Sequence, residues 1–285
     1  MQLIFEQGPK KPPSEAHSLS FRFTRNCPWN KCIYCPVYKG KKFSRRSLKE
    51  IKQDIDNVAW ALDDISAKHE SIAGQGRSRY PKWNQCLDQY RLVSSWLYQE
   101  RRTVFIEDAD SMIMKTKDLI EALKYIKSKV PGVKRIAMYA RSNTLRHKSL
   151  GELQEIRGAG LGRLHVGLES GSNQVLELVR KGCTAEQHVQ AGKKVLQSGI
   201  TLSVYVMPGL GGRRLSREHA METARALNEM NPHIVRLRNL QVFSGTELDK
   251  MIKQGYFQPL SKDELKQEYK LFLSLYPFIF NICRT

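Results

Sequence analysis

Between Leu19 and Leu240 the chain passes six times from a short apolar, strand-like run to a segment of helical period. Strands joined this way run parallel through right-handed crossovers, so the fold is an α/β sheet, either open and doubly wound or part of a β/α barrel. The strand-like runs are 18–24, 103–106, 135–140, 164–168, 201–207 and 233–240. Leu48, Ile51, Ile55, Val58 and Leu62 give the first helix its apolar face over 47–65. Further helices are predicted over 117–130, 149–158, 173–180 and 185–197, and then to about Met230. In either form of the sheet, ligands bind beyond the C-terminal ends of the strands.

Chemistry-bearing residues gather at those ends. The first strand leads into Cys27-Pro28-Trp29-Asn30-Lys31-Cys32-Ile33-Tyr34-Cys35, with three thiols on one short loop. Thiolates bind soft iron and zinc, and a loop with Pro28, Asn30 and Lys31 is not core-like. Structural zinc takes two Cys pairs or a Cys and a His pair, and one C-x-x-C is present, so three thiols favour an iron-sulfur cluster with one open iron. The C-x4-C-x2-C spacing also matches plant-type ferredoxins, but that reading needs a fourth cysteine nearby and a small β domain. Cys86, Cys183 and Cys283 are isolated and read as core cysteines, with Cys183 close to the site behind Arg180-Lys181-Gly182.

At 285 residues and 41% hydrophobic content the chain can bury a sizeable core. No run approaches the roughly 18 apolar residues of a membrane span, and six cysteines, three of them bunched, do not form the lattice of a small secreted domain. The expectation is a cytoplasmic protein in a reducing compartment with no membrane partner. A formal charge of +19, with Lys39, Lys41, Lys42, Arg45 and Arg46 just after the cysteines, attracts anions. Nucleic acid, a phosphorylated or carboxylated substrate and an acidic electron-donor protein all fit, as does a solvated basic face.

The cysteine loop, Tyr34 just before its last thiol, the acidic cluster Glu107-Asp108-Ala109-Asp110, Gly167-Leu168-Glu169-Ser170-Gly171 and Pro208-Gly209-Leu210-Gly211-Gly212 together resemble the radical S-adenosylmethionine (radical SAM) superfamily. The resemblance covers residues 18–245. It implies a partial (β/α)6 TIM-like barrel and a 4Fe-4S cluster on Cys27, Cys32 and Cys35, with S-adenosylmethionine (SAM) on the open iron. Family members usually have three residues between the first two cysteines, and here there are four.

Carried over by position, Tyr34 contacts the adenine or is a packing aromatic. Asp108 and Asp110 stand where a Gly-Gly-Glu motif receives the SAM aminium, or else cap the next segment. Arg141 and Ser142 fall near the carboxylate or ribose, and Arg141 also reads as a surface residue. Glu169 suits the ribose hydroxyls or the aminium, and the turn holding Gly209 and Gly211 approaches the adenine. As a dinucleotide fingerprint that turn fails, because Arg214 stands where a third glycine is needed.

The expected organisation is an extended surface arm over 1–17, a core over 18–245 and a helical extension over 246–285. Within the core, 66–100 reads as a helical insertion after the first β/α unit. The resemblance implies reductive cleavage of SAM to a 5'-deoxyadenosyl radical, with a flavodoxin or ferredoxin as electron donor. A small molecule or cofactor precursor is the first reading of the substrate, tRNA or protein modification the alternative, and a non-catalytic iron-sulfur electron carrier the reading from another class.

Overall fold

The computed structural model describes residues 5–9, 11–72, 84–100, 102–278 and 282–284. Strand β1 (Leu19–Arg22) runs into the two-residue β2 (Thr24–Arg25), which pairs antiparallel with β3 (Ser44–Arg45) and closes the base of the cysteine loop. The sheet continues with β4 (Thr103–Glu107), β5 (Arg135–Ala140), β6 (Leu161–Glu169), β7 (Thr201–Val206), β8 (Ile234–Leu237) and β9 (Ile282–Arg284). Their order β1-β4-β5-β6-β7-β8-β9 follows the chain and every pairing is parallel. The expected six strands are therefore present in a partial barrel, and a seventh, β9, is added at one edge.

Parallel strands under helices bury both faces. Outward residues such as Val104, Ile106, Met138, Leu164, Val204 and Val235 belong to one large core, each worth about 1.5–3 kcal/mol for full burial. The helices are α1 (Leu48–Ile72), α2 (Asn84–Leu97), α3 (Thr116–Lys129), α4 (Ser142–Arg146), α5 (Leu150–Gly158), α6 (Asn173–Leu178), α7 (Ala185–Gln197) and α8 (Gly212–Met230). After the last crossover come α9 (Glu247–Lys253) and α10 (Lys262–Leu275), and α10 packs on α8.

Inward residues of the same strands make an aromatic layer. Phe105 meets Tyr139 edge-on at 5.0 Å, His165 lies 6.0 Å from each ring, and Tyr205 is 6.2 Å from His165.

Two expectations are revised. Of the arm, Phe5 and Glu15 are each only 1% exposed, so it does not simply lie along the surface. Phe5 packs against Phe21, and its N–H donates to Gln89 on α2. Glu15, in a 3-10 turn, accepts from Arg135 (2.8 Å) and Ser18 (2.8 Å) and lies 3.3 Å from His165 Nε2 and 3.5 Å from Arg163. Burial works to raise its pKa, but His165, Arg135 and Ser18 outweigh it and hold the carboxyl at about 2. Because Arg135 opens β5, this cluster plugs the N-terminal end of the barrel.

The second revision concerns 66–100. The first helix runs on to Ile72, and α2 returns the chain to the core, with Val93 and Trp96 buried and Trp96 Nε1 donating to Thr103 O at 2.7 Å. Residues 73–83 and the side chains of Cys86 and Cys283 lie outside the described residues.

Candidate functional site

The cysteine loop is fixed by its own backbone and by one apolar side chain. Ile33 N donates to Val179 O and Ile33 O accepts from Leu248 N, both at 3.2 Å. The Ile33 side chain is buried in a small cluster with Val175, Val179, Leu210, Leu248 and Phe257, against which half-buried Tyr34 packs. Cys27, Cys32 and Cys35 are free thiols, half-buried, and Cys27 Sγ accepts from Asn30 N at 3.4 Å.

Trp29, one of the four residues between the first two cysteines, clamps the loop to the segment after α6. Its Nε1 donates to Arg180 O at 2.7 Å, and its ring lies where a Cβ on Gly182 would stand, so only glycine fits there. Arg141 lies over the same ring at 5.2 Å and donates to Lys181 O at 3.1 Å, while Lys31 lies over it at 4.8 Å. The clamp aims Lys181 at Glu169.

Glu169 ends β6 with φ 66°, a left-handed conformation costing a non-glycine residue about 1–2 kcal/mol, at a register shift in the β6–β7 ladder. Its side chain folds back over Gly167, where a Cβ would run into Glu169 Oε1 and stand 2.9 Å from Lys181 Nζ. Lys181 Nζ meets Glu169 Oε1 at 3.0 Å, with both side chains nearly buried (12% and 13% exposed). Burial pushes the Cys32 thiol up, while the charges of Lys181 and Arg141 pull it towards the thiolate. Sequence reading missed Trp29 and Lys181, since a lysine in a turn reads as solvated.

Asp108 is fully buried and saturated by the protein's own donors. Its Oδ2 accepts from Arg22 Nε (2.8 Å), Arg22 Nη2 (2.6 Å) and Asn26 N (2.7 Å), and its Oδ1 accepts from Tyr38 O–H (3.1 Å). Asp110, also buried, accepts from Arg141 N (3.3 Å) and Thr144 Oγ1, and burial pushes its carboxyl up to about 6. It makes no cap to the 3-10 turn that follows it.

Ser142 Oγ pairs with His188 Nδ1 at 2.6 Å and joins α4 to α7. Gly209 N donates to buried Glu268 at 2.7 Å, and Gly211 packs on the first turn of α8 near Leu215. Of the basic run, Arg46 is buried and paired with Asp54 at 2.5 Å, whereas Lys39, Lys41, Lys42 and Arg45 are exposed.

Glu107, at the end of β4 and 2% exposed, accepts from Gly8 N of the arm, and burial pushes its carboxyl up to about 7. A raised pKa contributes stability that is complete below the unfolded value of 4.5 and is lost as pH rises through 7. Glu107→Gln is expected to match the wild type below pH 4.5 and to exceed it by roughly 3 kcal/mol at pH 8, measured by urea unfolding across pH.

Three soft, free thiols, with backbone donors on Cys27 (Asn30) and Cys35 (Val37) and two cations beside Cys32, form a donor set that fits an iron-sulfur cluster. Among the described residues no three His, Cys, Asp or Glu side chains are grouped as a single metal ion requires, and a cubane, with one thiolate per iron, spreads its ligands. A family model described as the radical SAM superfamily matches residues 21–227.

The chain belongs to the radical SAM superfamily. It is accordingly an enzyme of a family that uses a 4Fe-4S cluster and SAM.

Among curated relatives, a tRNA uridine(34) acetyltransferase of Methanocaldococcus infernus is 29% identical over 114 residues, 40% of this chain and 21% of the relative. The chain thus aligns with about a fifth of that relative's length. Among solved structures, coproporphyrinogen III oxidase of Escherichia coli, a radical SAM enzyme, superposes with a TM-score of 0.57 at 14% identity, covering 90% of this chain and 52% of that one. The archaeal M. infernus Elp3 gives 0.52 at 16% identity over 79% of this chain and 52% of that one. At such identities the likeness is one of fold. No described helix is long and apolar enough to cross a membrane.

Proposed function

We propose that this radical SAM chain holds its cluster on Cys27, Cys32 and Cys35, binds SAM between that loop and the ends of β6 and β7, and removes a hydrogen atom from a substrate inside the barrel. Bound there and reduced, SAM supplies the 5'-deoxyadenosyl radical that abstracts the hydrogen. The observation that carries the proposal is the convergence on Cys32 of Lys181, Glu169 and Arg141, three charges from the turn after α6 and the ends of β6 and β5, with Lys181 and Glu169 paired at 3.0 Å.

In this reading Lys181 fixes the Glu169 carboxylate against its neighbours so that it can accept from the SAM aminium or ribose. Arg141, held over Trp29, offers a planar fork to the SAM carboxylate. Asp110 orients Arg141 through its backbone N–H, and Asp108 holds the base of the cysteine loop through Asn26 and Tyr38. Tyr34 and the turn at Gly209 and Gly211 border the adenine side. The exposed Lys39, Lys41, Lys42 and Arg45 form a face suited to an acidic flavodoxin or ferredoxin.

For the substrate, the relatives named as tRNA-modifying enzymes and the +19 charge favour RNA over the small molecule or cofactor precursor of the first reading. Anaerobic reconstitution followed by dithionite and SAM tests the chemistry. Wild-type protein is expected to form 5'-deoxyadenosine and Cys32→Ala none; wild-type protein that carries its cluster yet forms no nucleoside would sink the proposal.

A further inference from the structure

A cavity of about 1190 Å³ opens on the unclosed side of the barrel, between the arm, the end of β8 and α10. Lys11, Arg238, Lys262, Lys266 and Lys270 all line it, and among the described residues no carboxylate does. Lys262, Lys266 and Lys270 recur every four residues on α10, so they form one stripe with steps of about 6 Å along the helix. Asp263, the partner of Lys266 at 2.8 Å, is exposed, and such a pair exchanges readily for a stronger anion.

Arg238, which lines the groove just after β8, donates from its backbone N–H to Val206 O at 3.0 Å, the neighbour of Tyr205 in the aromatic layer. The Tyr205 hydroxyl is buried with no hydrogen-bond partner among the described residues. A buried polar group in that state awaits a ligand atom or a water.

We infer that this groove binds a single-stranded segment of RNA, with the lysine stripe of α10 on successive phosphates and one unstacked base turned past Arg238 towards Tyr205. Three features select a polynucleotide over a small phosphorylated molecule. The cations are spread along the groove instead of converging on one point. The volume exceeds the roughly 300–1,000 Å³ of small-ligand sites. Lysines neutralise a backbone without reading sequence, and rings at the inner end accept any base by stacking. An enzyme acting on a base must draw it out of its stack, which a lateral groove beside the aromatic layer permits.

The inference rests on the barrel interior being the reaction chamber, but its test does not require SAM cleavage. Binding of a fluorescein-labelled single-stranded RNA 12-mer to the reconstituted full chain is measured by anisotropy against salt. Lys262→Gln/Lys266→Gln/Lys270→Gln is compared with Lys49→Gln/Lys117→Gln/Lys124→Gln, exposed lysines on α1 and α3 or beside them that remove the same charge. The groove variant is expected to lose roughly tenfold or more in affinity and to lower the salt slope by about 2, while the control changes little. Tyr205→Phe is expected to keep the salt slope and to weaken binding. Equal losses in both triple variants, no loss in the groove variant, or full displacement of the RNA by adenosine 5'-phosphate would overturn the inference. Wild-type protein that forms 5'-deoxyadenosine yet binds no RNA refutes the groove alone; wild-type protein that binds the RNA yet forms no 5'-deoxyadenosine refutes the SAM chemistry alone.

Discussion

Lys181→Met is expected to destabilise the cluster-free protein by about 3–5 kcal/mol, because it leaves the Glu169 carboxylate nearly buried without its counter-charge. The loss comes from an abandoned charge, so Glu169→Gln in the same protein should recover much of it. The double variant should fall well short of the sum of the singles, with a coupling of about 1–3 kcal/mol. The geometry explains why the coupling is local. The carboxylate cannot swing away, since it lies over Gly167, and the ammonium cannot withdraw, since Arg141 and Trp29 hold the backbone on either side of it. Urea unfolding of the four proteins checks this. Independent, additive effects of less than about 0.5 kcal/mol each would mean that the pair behaves as an exposed one.

Asp108→Ala is the second large effect. It strands the Arg22 guanidinium, Asn26 N–H and the Tyr38 hydroxyl, and truncating a buried, paired charge of this kind costs about 3–5 kcal/mol. Asp108→Asn, which keeps an acceptor, should recover part of that loss. Since Asn26 and Tyr38 flank the three thiols, iron bound per chain after reconstitution should fall with Ala even at temperatures where the fold survives. Thermal unfolding and an iron assay on the same samples read the two effects separately. An Ala variant as stable as the wild type would show that Arg22 finds Glu6, 3.0 Å from its Nη1, an adequate substitute.

The barrel was legible because its signal is periodic. Apolar runs of four to eight residues alternate with helices, and the polar breaks fall at strand ends. The third expected strand, 135–140, and the helix 185–197 match the observed β5 and α7 in full. Elements carried by tertiary contacts were not legible. Strand β9 is three residues long, too short for a period, and is held by its register with β8. Helix α2 itself is expected, over 86–98, but its place is not: the stretch reads as an insertion, yet Val93 and Trp96 close the core. Phe5 and Glu15 looked like parts of a proline-rich arm until the barrel supplied Phe21, Arg135 and His165 as partners.

At the site, residue type gave the chemistry but not the partners. The thiols announced a soft metal in sequence. The resemblance puts Asp108 near the SAM aminium, with a cap as the alternative, and Ser142 near the carboxylate or ribose, and the structure gives them bonds to Arg22 and His188. Lys181, twelve residues past the end of β6, gained a role only when Trp29 folded onto Arg180 and Gly182. The four-residue spacer between Cys27 and Cys32 is thereby accounted for in part, because it carries the indole that clamps the two segments.

The most direct test of the account is an iron and sulfide count with low-temperature electron paramagnetic resonance on the anaerobically reconstituted, reduced protein, with and without SAM. The account predicts about four irons and four sulfides per chain and a signal that changes when SAM is added, both lost in Cys32→Ala. About two irons per chain, or a four-iron signal indifferent to SAM, would contradict it.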